Sequence, residues 1–242
     1  PMLKGYQNGY DGEIMVIKEG DELSLGNTTL KFFMAPMVHW PETMVTYLVE
    51  DKTLFSGDAF GTFGGVVNGI TDSEASMTGH ESDCDTFGQF RDEMIRYYSN
   101  IVGKYGTPVQ TALKKLSGLQ IERICSTHGP VWEKQIAEVV SLYDKLSRYE
   151  VEHGVCIVYG SMYGNTAAAA RELAKELDAR GIPYAIHDVA GNIEPGLGVS
   201  GAIRDVFRYD TLAVGSPTYN NSIFPPVETF MRSLQARLIK NR

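Results

Sequence analysis

The chain has 242 residues, 43% of them hydrophobic and 21% charged, with a formal net charge of −8. That is the composition of a globular protein with one large domain or two ordinary ones. The acidic balance argues against a nucleic-acid surface, and no apolar run approaches the about 20 residues of a membrane span.

No signal peptide is visible, and Cys84, Cys125 and Cys156 are far apart with no C-x-x-C pair. This favours a reducing, cytoplasmic setting and excludes a cysteine-ligated cluster. The chain opens on Gly/Tyr/Asp-rich sequence and stops just after a predicted helix, and is read as a segment of a longer protein.

Short apolar runs predict strands over Glu13–Ile17, Thr28–Met34, Met44–Glu50 and Thr53–Ser56, with Gly12, Gly20, Gly26-Asn27 and Pro41 as turn residues. Helical stripes follow at Phe87, Phe90, Met94, Tyr97 and Ile101, and at Val109, Ala112, Leu113 and Leu116. Ile121–Ser126 is predicted as a strand, and Ile136, Val139, Val140, Tyr143 and Leu146 mark another helix. This order suits a layered α/β sandwich.

The pattern changes near residue 151. From there the prediction is strand Val155–Tyr159, helix Thr166–Arg180, strand Tyr184–Val189, a short helix, strand Thr211–Gly215 and helix Val227–Leu238. Strands alternating with helices mean parallel βαβ units covered on both faces. Two domains are expected, 1–150 and 151–242.

His39, Asp58 and His128 each follow a strand-like run, and Gly57 and Gly129 adjoin two of them. Strand ends aim side chains into one cleft, and imidazole and carboxylate suit iron, zinc or manganese. Asp58 has two oxygens and is able to bridge two cations with one histidine on each. Any one of the three, alone, reads equally as a loop histidine or a turn-capping aspartate.

In the second half, Ser161-Met162-Tyr163-Gly164-Asn165-Thr166 joins the first strand to an alanine-rich helix. Hydroxyls, a glycine and unpaired helix N–H groups suit a phosphate cradle, though the stretch taken alone reads equally as an ordinary strand–turn–helix with Ser and Asn as turn residues. The loop lacks the lysine of a triphosphate P-loop, and there is no G-x-G-x-x-G. Pro217-Thr218-Tyr219-Asn220-Asn221 follows the third strand, so both loops are expected to flank one switch-point crevice. Tyr219 is placed there to stack on an aromatic ring.

The wording HWPETM, SGDAFG and THGP, followed by these two loops, resembles the flavodiiron proteins across essentially the whole chain. The resemblance implies the later part of a metallo-β-lactamase-like αββα sandwich, followed by part of a flavodoxin-like doubly wound parallel sheet. It also implies two irons, with His39 on one, His128 on the other and Asp58 bridging. FMN would hold its phosphate at Ser161–Thr166 and its ring at Pro217–Asn221.

The implied function is reduction of dioxygen to water or of nitric oxide to nitrous oxide, in a head-to-tail homodimer fed by a rubredoxin-like or other electron donor. The family's remaining ligands come from a His-x-Glu-x-Asp segment that nothing before His39 supplies. The nearest lookalike, His80-Glu81-Ser82-Asp83, is read as loop. The pocket around Trp40, Phe60 and Phe63 is the expected place for gas preference to be set, and His153 and His187 read as structural. The rival reading is a metal-dependent hydrolase fused to a flavodoxin-like module; it gives the flavin loops no role.

Overall fold

The computed structural model describes residues 12–78, 85–191 and 197–237. Its first sheet has five strands: β1 (Glu22–Ser24), β2 (Thr29–Met34), β3 (Met44–Leu48), β4 (Thr53–Gly57) and, after β5 (Val66–Val67) and β6 (Ser76–Met77), β7 (Arg123–Ser126). The spatial order is β1-β2-β3-β4-β7, antiparallel except for the parallel pair β4 and β7. That pair matters, because it brings the carboxyl ends of two distant strands side by side.

Period-two alternation sends Val45, Tyr47, Leu54 and Ile124 into the core. They pack with side chains of helices α1 (Thr86–Tyr97), α2 (Gly106–Leu116) and α3 (Ile136–Ser147). On the other face Met44 and Phe55 are exposed. The predicted strand over Glu13–Ile17 does not form. Ile14, Met15 and Val16 are exposed, and alternation without a paired neighbour has nothing to bury.

A π-helical turn (Tyr98–Val102) and a 3-10 turn (Gly103–Tyr105) join α1 to α2. Ser99 Oγ and Asn100 Nδ2 both donate to the Arg96 carbonyl, at 3.1 and 2.9 Å. Gly103 is required here, since a Cβ would lie 2.6 Å from the Phe207 ring.

Helix α3 ends at Ser147, and β8 (Glu152–Tyr159) opens a second, parallel sheet with β9 (Tyr184–Asp188) and β10 (Tyr209–Gly215), in the order β10-β8-β9. Helix α4 (Asn165–Ala179) packs Ala167, Ala170, Ala174 and Leu177 against Ile157 and Tyr159 on one face. Helices α5 (Gly198–Arg208) and α6 (Pro225–Ala236) bury Ile203, Val206, Phe207, Phe230 and Leu234 against Cys156 and Val158. The chain crosses from β8 to β9 on one side and then back past β8 to β10 on the other, so the winding reverses between β8 and β10. The hairpin β11 (Thr218–Tyr219) and β12 (Ser222–Ile223) follows β10.

The two halves share one hydrophobic core, in which Tyr98 meets both Tyr143 and Phe207 edge to face. Around it, Glu152 accepts from Arg208 Nε at 2.8 Å and is paired with Arg91.

Candidate metal centre and flavin crevice

Asp58 follows β4 directly, and Thr127-His128 follows β7, the strand paired to it. The register is pinned by Thr127 N donating to the Gly57 carbonyl at 2.8 Å and Thr62 N to the His128 carbonyl at 3.3 Å. Gly57 and Gly129 sit at φ +59° and +87°, which lets both chains turn sharply after their strands. His39 comes from the β2–β3 loop, closed by Met37 N donating to Trp40 O and Ala35 N to Thr43 O.

The three side chains converge. Asp58 Oδ2 lies 3.0 Å from His39 Nε2, and Oδ1 lies 3.5 Å from His128 Nε2. Each carboxylate oxygen therefore faces a different imidazole, and Thr127 Oγ1 donates to Oδ1 at 2.5 Å. The mouth is open, with His128 exposed and Trp40 60% exposed beside the His39 ring at 5.5 Å.

Donor chemistry and arrangement fit a bridging carboxylate with one imidazole per cation. Three protein ligands do not complete two coordination spheres. Among the described residues no group of three or more His, Cys, Asp and Glu side chains, this trio included, is arranged to hold a metal ion as it stands. The His80–Asp83 segment lies outside the described residues.

Tyr97 is a neighbour that the sequence reading assigned only to a helical stripe. Its ring centroid lies 5.6 Å from that of His128, and it is almost fully buried. Burial, and after it the Asp58 carboxylate, push its hydroxyl well above the usual phenol range. The helical stripe Phe90, Met94, Tyr97 gave no sign that the last member points at a polar site. Of the three residues expected to shape the pocket, Trp40 stands at the mouth and Phe63 packs behind Tyr97 at 5.0 Å. Phe60 does not reach the pocket: it is buried against Tyr143, so it belongs to the core.

In the second half the two loops meet where the winding reverses. Gly160 N donates to the Gly215 carbonyl at 3.0 Å, tying the carboxyl ends of β8 and β10 together. Gly164 adopts φ +89° and caps α4 with no side-chain hydrogen bond, and a Cβ there would meet nothing within 4 Å. The first amides of α4 thus face open space, which is what an anion needs. Ser161 Oγ accepts from Gly164 N at 3.1 Å, shaping the turn, while Met162, Tyr163 and Asn165 are exposed and Thr166 is half-buried.

Across the crevice, Asn220 and Asn221 at φ +48° and +57° turn the β11–β12 hairpin, the left-handed pair that a two-residue loop demands. Pro217 leads into it, with Thr218 and Tyr219 exposed on β11. Ser216 Oγ accepts from Phe224 N at 3.0 Å and closes the loop, and Tyr219 packs 6.0 Å from the Phe224 ring. The cradle fits a phosphate, and the hairpin offers an exposed aromatic face beside it.

The other two described histidines are paired. His153 Nδ1 lies 3.0 Å from Asp210 Oδ2, and His187 Nε2 lies 2.7 Å from Asp205 Oδ2.

A profile described as ODP family beta lactamase matches residues 2–129, and one described as Flavodoxin matches 157–241. The solved rubredoxin oxygen:oxidoreductase of Desulfovibrio gigas superposes with a TM-score of 0.82 at 27% identity, covering 99% of this chain and 57% of that one. A point mutant of the flavodiiron protein of Thermotoga maritima gives 0.81 at 26%, covering 98% and 57%. The chain belongs to the flavodiiron protein family.

Another relative, the anaerobic nitric oxide reductase flavorubredoxin of Escherichia coli, is 30% identical over 246 residues, 99% of this chain and 48% of that protein. The chain spans about half the length of the relatives it matches. A β-lactamase-like portion followed by a flavodoxin-like portion with a parallel sheet is the architecture of flavodiiron proteins, as the sequence reading expected. Among the described residues, no helix is long and apolar enough to cross a membrane.

Proposed function

We propose that this flavodiiron chain is the metal- and flavin-bearing portion of an oxidoreductase that reduces dioxygen or nitric oxide, with electrons passing from FMN to a diiron centre. One observation carries the reading: the two oxygens of Asp58 face His39 and His128 separately, in the same chain as an uncapped helix at a doubly wound switch point. Relatives whose names specify oxygen or nitric oxide reduction favour this over a hydrolase.

In this reading residues 1–150 hold the irons and 151–242 the flavin. When bound, the irons would supply the site of gas reduction and FMN the store of electrons. His39 and His128 would each bind one cation through Nε2, with Asp58 shared between them and Thr127 Oγ1 orienting its Oδ1. Tyr97, next to His128, keeps its hydroxyl proton at ordinary pH and remains a hydrogen-bond donor within the electrostatic reach of Asp58. Ser161, Gly164, Asn165 and Thr166 would bind the FMN phosphate through hydroxyls and first-turn amides. Met162 and Tyr163 flank that cradle, while Pro217, Thr218, Tyr219, Asn220 and Asn221 would border the ring.

The exposed loop side chains Tyr163, Tyr219 and Ile223 on the flavin half, and Trp40 at the metal mouth, suit a head-to-tail homodimer in which one subunit's flavin meets its partner's metals. A rubredoxin-like protein is the class of donor that the relatives' names suggest.

The test is titration of the full protein with FMN and anaerobic ferrous iron, followed by gas consumption. Saturable yellow-complex formation, two irons per chain and loss of iron in Asp58→Asn are expected. Hydrolysis of esters or amides without flavin binding would overturn the reading.

A further inference from the structure

We propose that Arg96 is a positioning residue: from the joint between the two halves it holds the Tyr97 ring against His128, acting through Phe63. The inference rests on reading the Asp58 trio as the metal centre, and it assigns a task to a side chain that touches none of the trio.

Three ring contacts run in series. The Arg96 guanidinium carbon lies 4.4 Å from the centroid of Phe63. Phe63 meets Tyr97 at 5.0 Å and 65°, and Tyr97 meets His128 at 5.6 Å and 45°. The Tyr97 ring also abuts Gly61, where a Cβ would come within 3.3 Å of Tyr97 Cε1 and Cζ. Tyr97 thus touches both Gly61 and Phe63, and the Arg96 guanidinium lies over the Phe63 ring.

Each nitrogen of the Arg96 guanidinium donates a hydrogen bond. Nε donates to both oxygens of Glu93, at 3.1 and 2.9 Å, and Nη2 donates to the same carboxylate. Nη1 donates to Ser200 Oγ at 3.0 Å, across the joint on α5. Ser200 Oγ donates in turn to the Leu197 carbonyl at 2.7 Å, and the Ser200 carbonyl accepts from Asn100 Nδ2 at 3.1 Å. The Arg96 and Glu93 side chains are only 16% and 13% exposed.

An ion pair one helical turn apart explains the Glu93 contact alone. It does not explain a guanidinium set 4.4 Å over an aromatic ring with its remaining nitrogen donating to the flavin half. That combination needs a planar fork, which lysine lacks. Seating of α5 is thereby felt at the metal pocket.

The experiment labels the chain with 3-fluorotyrosine and follows the Tyr97 fluorine resonance without metal, assigned by its loss in Tyr97→Phe. In Arg96→Met and Arg96→Lys the line is expected to move toward the exposed-tyrosine position and broaden. In Ser200→Ala it should move the same way by less, while Tyr184 and Tyr219 keep their positions. If Arg96 merely balances Glu93, lysine restores the wild-type line, and that result overturns the proposal. An unshifted Tyr97 line in folded Arg96→Met also overturns it.

Should Arg96→Met fail to fold, the Lys and Ala variants still decide. Because the readout is metal-free, failure to bind iron or FMN would sink the proposed function and leave this result standing. In the iron- and FMN-loaded protein, Arg96→Lys is expected to lower kcat by about tenfold relative to wild type with iron content unchanged.

Discussion

Thr127 donates its hydroxyl to Asp58 on Oδ1, the same oxygen that faces His128, while Oδ2 faces His39. The carboxylate is therefore held with its two oxygens split between two imidazoles, and the holder sits next to one of those histidines in sequence. Outer hydrogen bonds of this kind typically tune metal affinity by about 10–100-fold. Thr127→Val is expected to weaken ferrous iron binding by about tenfold while leaving circular dichroism and thermal unfolding near wild type. Iron content at graded free iron checks it.

Asp72 is 4% exposed and receives the amides of Glu133, Lys134 and Gln135, at 2.8–3.1 Å, just before α3. A buried carboxylate on the amides leading into a helix does the work of an N-cap from a distant loop. Asp72→Ala orphans those donors and should cost about 2–4 kcal/mol. The expected signature is a lower urea midpoint with unchanged slope.

Asp205, almost fully buried, faces His187 and Arg204. Burial pushes its carboxyl up, but the hydrogen bonds from His187 and Arg204 outweigh it, and the group ends below its ordinary value of 3.8. A depressed carboxyl contributes stability that is present above the unfolded value and lost as pH falls through the folded one. Stability should therefore decline on acidification below about pH 4. Asp205→Asn should flatten that decline and, by leaving Arg204 only the distant Asp92 carboxylate at 4.0 Å, cost about 3 kcal/mol at neutral pH. Urea unfolding between pH 3 and 7 measures both.

Gly164 stands in the left-handed region with open space where a side chain would go. Gly164→Val is expected to cost about 1–2 kcal/mol of backbone strain and to block the approach of a phosphate to the α4 amides. FMN affinity, read by flavin fluorescence quenching, should fall at least about tenfold, which is about 1.4 kcal/mol. Riboflavin, which has no phosphate, should lose far less.

Much of the fold was legible because it is written in periodicity. The stripe at Phe90, Met94 and Tyr97 and the alternation at Val45 and Tyr47 each bury the face they predict. The trio was legible because strand ends carry their residues to one edge, and β4 pairs with β7 as that placement requires. Glu13–Ile17 misled because alternation says nothing about whether a neighbour exists to pair with it.

Asp72 and Arg96 were illegible for a different reason. Glu133 for Asp72 and Ser200 for Arg96 lie 61 and more residues away, and no local pattern announces a hydrogen bond over that separation. Phe60 was misplaced because nearness to Asp58 in sequence does not fix which way a ring points after a tight turn.

The most direct test of the account observes the histidine rings of the 15N-labelled chain during anaerobic ferrous titration. The account predicts that His39 and His128 shift or broaden together, at the same iron equivalents. His153 and His187 should keep their positions, and Asp58→Asn should abolish both responses. If His39 and His128 respond at different iron levels, or respond undiminished without the Asp58 carboxylate, the shared centre is contradicted.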